Sequence, residues 1–418
     1  MSAIDQQITE TVTEPLINES EPQKTFFREI FYNYANFGVI SKSVSVTTGG
    51  MGFGSEKEFR IPSGGDLITK MYLRVTLPAV HNNIVTGSSY ANWVNNVGHA
   101  LISRVELHIS NNVIDRHSNV YLDVWNELTD RDKNEYKSIG KYDNILQLKK
   151  LQTNSTEYQI PLKFFFNRNN GAALPLFILG EDTVKIRLNV NSLANLVLFD
   201  GSGSISSVNM SSLQLGYDTI SLSNTEKEAI RRNIPTELLI ETVQSFENLS
   251  NFGNITVENP VKELIFVFRK TARTSSTNPH ITLNKGTTKG NDIFNYSGTT
   301  TNNSEDYDVF NTAFIQWGNY DITEGAEPNT HFKEEQVQKY HSRKPNKNIY
   351  VYSFDIEPES YKPSGYINFS RDTSKSLSFS FTGVESGVTL NVYARTYEYL
   401  YIQNDRGDLR DIPIEGSY

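Results

Sequence analysis

The sequence predicts an all-β chain in two similar halves, each a sandwich of short strands with short helices in its loops. Three observations predict it. Apolar residues alternate with polar ones in many short runs bounded by turn residues. The composition is rich in Asn, Thr and Ser, with 22 Tyr and 23 Phe, which favours strands joined by polar loops. The strand order of residues 158–222 recurs, about 180 residues on, in residues 349–402. Many short strands at this spacing suggest sandwiches, and two similar halves suggest two jelly rolls.

In chain order, residues 1–24 read as an arm. Asp5, Glu10, Glu14, Glu19 and Glu21 face only Lys24, with two prolines and few large apolar groups. Phe26, Phe27, Phe31, Tyr32, Tyr34 and Phe37 then form an aromatic segment expected to dock on the first domain. Gly49-Gly50-Met51-Gly52-Phe53-Gly54 lacks the GxGxxG spacing and a following Lys-Ser/Thr, and residues 58–62 look like a strand, so it reads as a surface loop rather than a phosphate loop. Residues 66–78 alternate, with Leu67, Met71, Leu73, Val75 and Leu77 on one face.

The stretch 95–129 organises the chain. Leu101, Val105, Leu107 and Ile109 share one face of a strand, and Ile102, Arg104, Glu106 and His108 the other. Asn111-Asn112 closes a turn, because Asn tolerates positive φ. Val120, Tyr121, Val124, Trp125 and Leu128 then fall at helical spacing, so a short helix lies across something apolar. Residues 131–150 form a charged connector. Strands follow at 158–166, 183–190 and 213–222, separated by a turn at Asn169-Asn170-Gly171, an apolar run at 174–179 and a small polar loop at 201–212. Residues 225–232 read as a helix ended by Pro235. The second half has strands at 238–246, 260–269, 309–317, 349–356, 366–370, 377–381 and 389–402. The polar tract 271–308, with Ile281, Ile293, Phe294 and Tyr296 as its few large apolar groups, reads as a long surface loop.

At 418 residues the chain suits two domains of about 200, long enough to bury roughly three-quarters of its surface without staples. It has no cysteine, which excludes disulfides, thiolate metal sites and a cysteine nucleophile. Its 48 acidic and 39 basic residues give a net charge of −9, unsuited to coating DNA. No run of 18 apolar residues is present, and MSAIDQQITE lacks the basic and apolar regions of a signal peptide, so a soluble chain is expected.

No constellation of residues points to chemistry. His99, His108 and His117 lie nine apart, which puts the first two on opposite strand faces and favours polar rim and turn contacts over a shared metal. His331 and His341 lack HExxH spacing. No G-x-S-x-G elbow exists. Glu334-Glu335 are adjacent on a charged segment, whereas acid–base work needs two carboxyls facing across a cleft. Tyr393, Tyr397, Tyr399 and Tyr401, with Arg395 among them, could stack on single-stranded nucleic acid. The better reading packs that face on a neighbouring domain or subunit, with Val392, Ala394, Leu400 and Ile402 facing a core. Arg406-Gly407-Asp408 matches a cell-adhesion tripeptide, as three residues often do by chance. Sequons at Asn154, Asn248, Asn254, Asn295, Asn302 and Asn368 are expected to stay unmodified without a secretory route.

Several linked blocks carry a resemblance: Gly98–Ile102 (GHALI), Val105–Leu107 (VEL), Ile114–His117 (IDRH) and Trp125–Thr129 (WNELT), then 161–175 (PLKFFFNRNNGAALP), 259–265 (NPVKELI) and 363–371 (PSGYINFSR). Over about residues 25 to 400 the chain resembles the double jelly-roll major capsid proteins of nucleocytoplasmic large DNA viruses. The resemblance implies two tandem eight-stranded jelly rolls, divided as arm 1–24, first roll 25–224, linker 225–236, second roll 237–403 and tail 404–418. It implies a structural protein, not an enzyme, with no catalytic, cofactor or metal residue. Three copies would form a pseudo-hexagonal capsomer that tiles an icosahedral shell assembled in the host cytoplasm. The implied partners are the homotrimer itself, neighbouring capsomers, minor capsid and penton proteins, and an inner membrane nearby but not spanned, with no direct nucleic acid contact. It also implies that long loops such as 271–308 form the outer tower, so replacing 275–302 by a linker should leave trimers intact. The ending 403–418 departs from the Gly-rich ending common in the family. A carbohydrate-active or carbohydrate-binding β-sandwich is the alternative, favoured by a concave face with paired carboxylates or stacked aromatics.

Overall fold

The structure, a computed structural model, describes residues 36–88, 90–143, 148, 152–179, 183–199, 203–232, 236–250, 252–274, 280–282, 287–289, 291–298, 307–372, 376–403 and 406–410. The expected arm 1–24, most of the aromatic segment, Pro235 and the end of the tail lie outside these residues.

Among the described residues, eight longer strands make the main sheets of the first half: β1 (Phe37–Ser45), β2 (Glu56–Arg60), β3 (Leu67–Leu77), β4 (Ile102–Ile109), β5 (Asn112–Ser118), β6 (Thr156–Pro161), β7 (Val184–Val190) and β8 (Ser212–Leu222). They pair antiparallel in two sheets, β1-β8-β3-β6, to which the short strand Leu174–Pro175 adds on β3, and the four-stranded β2-β7-β4-β5. Leu73, Val75, Leu213 and Leu215 from one sheet and Phe59, Val105, Leu107 and Ile186 from the other fill the space between. This is a jelly roll, because the chain crosses repeatedly from one sheet to the other.

The second half follows the same plan with β9 (Thr236–Leu249), β10 (Pro260–Lys270), β11 (Thr312–Trp317), β12 (Tyr350–Ser353), β13 (Leu377–Thr382) and β14 (Val388–Gln403). Its main sheet runs β9-β14-β10-β12, and its second sheet is built on the β11–β13 pair. Within each main sheet the same order recurs: the first strand pairs the last, the last pairs the second strand of that sheet in chain order (β3, β10), and that one pairs the third (β6, β12). Where β2 stands in the first roll, the second has only a bridge between Ile255 and Leu377. Its core is aromatic: Phe266 stacks on Tyr350 at 5.4 Å, and Phe310 lies 4.7 Å from Tyr350. The chain is therefore all-β, a double jelly roll. The expected helix after β8 is present as Asn224–Arg232, with no buried residue.

Local departures have local causes. Leu101 ends the helix α1 (Val97–Leu101) rather than starting β4. Gly98 is required there because a Cβ would come within 2.9 Å of the Ile139 carbonyl oxygen. The β4–β5 turn forms, but the positive φ falls on Ser110 (57°), one residue before the asparagines. In β3 a bulge opposite Asp218 and Thr219 shifts the parity, so Ile68 rather than Leu67 is fully buried. The strand expected at 158–166 stops at Pro161, and Phe165–Arg168 turns into a short helix. Residues 366–370 keep two strand residues before a 3₁₀ turn at Phe369–Asp372.

The largest correction concerns 271–308. It is not one surface loop. Asn291, Ile293, Phe294, Tyr296 and Ser297 are buried, and the three apolar ones join the first roll's core. The Asn291 amide donates to the Ala194 and Val197 carbonyls at 2.6 and 2.9 Å.

Candidate functional site: the seam between the two jelly rolls

The two rolls meet through helix α2 (Asn119–Thr129). Ser118 caps it by accepting from the Tyr121 amide, and every residue from Val120 to Leu128 is buried. Its apolar side covers the first roll, as its spacing predicts. Its polar side is covered too, by the second roll and by Asn96 and Lys141 of the first, and so each charge on it needs a partner.

Around Trp125 the partners come from the β9-β14-β10 sheet. Arg395 of β14 lies over the indole ring at 4.0 Å and donates to Glu263, to Glu241 at 2.8 Å and to the Pro358 carbonyl at 2.8 Å. Arg168 of the first roll also reaches Glu241 and sits 5.4 Å from the same ring. Lys262 donates to Glu241 and to the Ser360 carbonyl, and the Tyr397 hydroxyl donates to Asp355 at 2.9 Å. His341 bridges Glu263 at 3.0 Å and Glu359 at 3.1 Å. Burial raises the Glu241 and Glu263 carboxyls, but the surrounding cations outweigh it: Arg168, Arg395 and Lys262 hold Glu241 at about 2, and Arg395 and His341 hold Glu263 at about 2. Burial works against the His341 imidazolium, yet Glu263 and Glu359 raise it to about 9.

One and two turns along the seam, Asp123 and Glu127 make a second cluster. Asp123 accepts from Lys347 at 2.7 Å, from Tyr296 at 2.9 Å and from Asn96 at 2.8 Å. Burial disfavours its charge, but Lys141 and Lys347 depress its pKa below the usual carboxylate range. Glu127 pairs with Lys141 at 2.8 Å and Arg343 at 3.1 Å.

The residues singled out from the sequence fall as follows. Of the β14 Tyr face, Tyr393 packs on the first roll, 5.6 Å from Tyr121, whereas Tyr397 turns to Asp355 of its own roll; Val392 and Ala394 lie in the second roll's core, but Leu400 and Ile402 join the cluster of Tyr393. The histidines are not rim contacts. His99 is fully buried, pushed down to about 3 by burial and kept neutral beside Asn96. His117 is buried against Phe164 at 5.0 Å and Asp115 at 2.9 Å, and His108 pairs with Glu106 at 2.8 Å. Among the described residues no group of three or more is arranged to hold a metal. The glycine loop closes on itself. Gly49 has φ +106°, its absent Cβ would meet the Glu56 carbonyl, and the Lys57 amine donates to the Gly49 carbonyl at 2.6 Å. Glu334 and Glu335 sit exposed on a π-helical turn. The Arg406-Gly407-Asp408 segment is a strand on β14, and Asn112 of the first roll donates to Asp408. No helix among the described residues is long and apolar enough to cross a membrane.

Two family models divide this architecture between them. Residues 25–225 match the major capsid protein N-terminus, and residues 226–407 match the large eukaryotic DNA virus major capsid protein. The chain belongs to the major capsid proteins of large eukaryotic DNA viruses.

Relatives of this capsid protein include the major capsid protein of Phaeocystis pouchetii virus, 26% identical over 93% of this chain and 95% of that protein. That of Pyramimonas orientalis virus is 27% identical over 93% and 94%. Among solved structures, PBCV-1 VP54, fitted into a reconstruction of the virophage Sputnik, superposes with a TM-score of 0.73 at 24% identity, over 93% of this chain and all of that one. The Faustovirus major capsid protein gives 0.68 at 12% identity, over 96% and 94%.

Sequence reasoning missed the charged members of the capsid protein's seam. One signal was available: Lys262-Glu263 interrupts an apolar run, PVKELIFVF, whose every residue is buried.

A pH prediction follows from His341. Its folded pKa lies above the unfolded 6.5, so its contribution is complete below pH 6.5 and is lost as pH rises through 9. Stability is expected to fall by up to roughly 3 kcal/mol across that window. Urea unfolding of the wild type and His341→Gln at pH 6 and 9 checks this; equal slopes in both proteins would refute it.

Proposed function

We propose that this chain is the building block of homotrimeric, pseudo-hexagonal capsomers tiling the icosahedral shell of a large DNA virus, assembled in the host cytoplasm. The observation that carries the reading is the pair of jelly rolls with one strand order, locked side by side in a single chain by a buried seam. Three such pairs around a threefold axis supply six similar towers, which is the shape a hexagonal lattice needs. The linker is taken to be residues 225–236, around the exposed helix Asn224–Arg232. Neighbouring capsomers, minor capsid and penton proteins and an inner membrane would be the partners. A net charge of −9 disfavours direct contact with the genome.

Light scattering after size exclusion is the test. A particle of about 142 kDa, three times the 47.4 kDa chain, is expected, with more than about 2,000 Å² buried per contact as permanent interfaces require. A stable monomer at micromolar concentration overturns the proposal.

A further inference from the structure

We propose that Lys141 and Asn126 join in an intramolecular isopeptide bond, with Glu127 as the proton carrier. The Lys141 amine lies 2.7 Å from the Asn126 side-chain oxygen, 2.8 Å from Glu127 and 3.3 Å from Asp123. All four residues are at most 5% exposed. The Asn126 amide is held in one orientation, because its nitrogen donates to Glu135 at 3.0 Å and to Asp130 at 3.3 Å. The carbonyl, not the amino group, therefore faces the lysine. The Tyr136 ring covers the amine at 4.9 Å. The Asn126 amide is fully buried and does not line the cleft that Glu127, Tyr136 and Lys141 edge, so it is shielded from bulk water while the amine reaches it.

The charges of the cluster point the same way. Lys141, Lys347 and Arg343 face two carboxylates, Asp123 and Glu127. Asp123 keeps Lys347 at 2.7 Å and Glu127 keeps Arg343 at 3.1 Å without any help from Lys141. Asp123 and Glu127 therefore each keep a cation when the Lys141 ammonium becomes an amide.

The step balances without a co-reactant. Glu127 takes one proton from the Lys141 ammonium. The freed lone pair attacks the Asn126 side-chain carbonyl carbon, and the carbonyl electron pair moves to its oxygen. As that pair returns, the bond from carbon to the amide nitrogen breaks. The departing nitrogen receives the proton held by Glu127 and one from the attacking nitrogen, and leaves as ammonium beside Asp130 and Glu135. An ammonium and a primary amide have become a secondary amide and a free ammonium ion. The product ties α2, which carries the seam, to the connector after it, and a cross-link of this kind restricts the unfolded chain as a disulfide does.

The test is the intact mass of the purified, folded full chain, followed by tryptic mapping. The wild type is expected to be lighter than its sequence by one ammonia and to yield a branched peptide joining the Asn126 and Lys141 segments. Lys141→Arg keeps the charge but has no amine nucleophile, and Glu127→Gln removes the proton carrier; both should have the full mass. Circular dichroism reports whether each variant folds. A folded wild type of full mass overturns the proposal by itself, whatever the variants do. A mass loss that persists in Lys141→Arg also overturns it, because the ammonia then comes from an internal imide.

Discussion

Replacing Arg395 with alanine is expected to destabilise the protein by about 3–5 kcal/mol, the range for removing one partner of a buried ion pair. The guanidinium is fully buried and faces two carboxylates, Glu241 and Glu263, from neighbouring strands of its own sheet. Its loss leaves Glu263 with only His341 and Glu241 with Arg168 and Lys262, and uncovers the Trp125 ring. Arg395→Lys should recover only part, since an ammonium cannot serve both carboxylates and cover the ring as a planar guanidinium does. The contrasting surface pair is Lys344–Glu334, with side chains 60% and 49% exposed, where Lys344→Ala should cost under about 0.5 kcal/mol. Urea denaturation of the three variants measures all of this. If Arg395→Ala costs no more than Lys344→Ala, the seam is not held by its charges.

Such a seam explains what could and could not be read from the chain beforehand. The strands were legible wherever one face is buried and the other wet, as in β3 and β7, because there the side-chain period maps onto burial. Helix α2 was legible for the same reason on its apolar side. Its polar side gave no sign of burial, since Asp123, Asn126 and Glu127 are what a solvated helix face also carries. Partner elements roughly 170 to 270 residues away, bringing Tyr296, Lys347 and Arg395, turn that face into an interior. The bulge at Thr69 and the positive φ at Ser110 were hidden because each depends on a partner strand rather than on local composition. The three histidines were misplaced for a related reason. Strand parity separates His99 from His108 only if both lie in one strand, and His99 lies in α1. The reading of the Tyr face of β14 held for Tyr393, which packs on Tyr121, but not for Tyr397, which donates to Asp355 of its own roll. Most charged members of the seam stayed hidden, because an ion pair between distant strands leaves little sign near either partner; Lys262-Glu263 inside an apolar run was the exception.

Exchanging residues 275–302 for a Gly-Ser linker, which the composition alone would class as harmless, is expected to unfold or severely destabilise the capsid protein. The tract contains Ile293, Phe294 and Tyr296, buried in the core shared with the first roll. Burying a large apolar side chain contributes about 1.5–3 kcal/mol, so losing three removes roughly 5 kcal/mol or more. Polar losses add to this. Asp123 loses the Tyr296 hydroxyl, the Ala194 and Val197 carbonyls lose the Asn291 amide, and Arg273 loses Ser297 and the Gly298 carbonyl, at 2.9 and 3.0 Å. A shorter exchange confined to 275–289, keeping 291–298 in place, separates the two roles of the tract. It removes the antiparallel pair His280–Thr282 and Thr287–Lys289, which adds to the Val197–Phe199 strand through one Phe199–His280 pairing, but none of the buried anchors. Its expected cost is under about 1 kcal/mol, as for changes away from a core. Thermal melts and light scattering on both exchanges decide the matter. Melting at the same temperature would mean that 291–298 contributes no more to the seam than the residues before it, and the tract would return to the role of an outer loop.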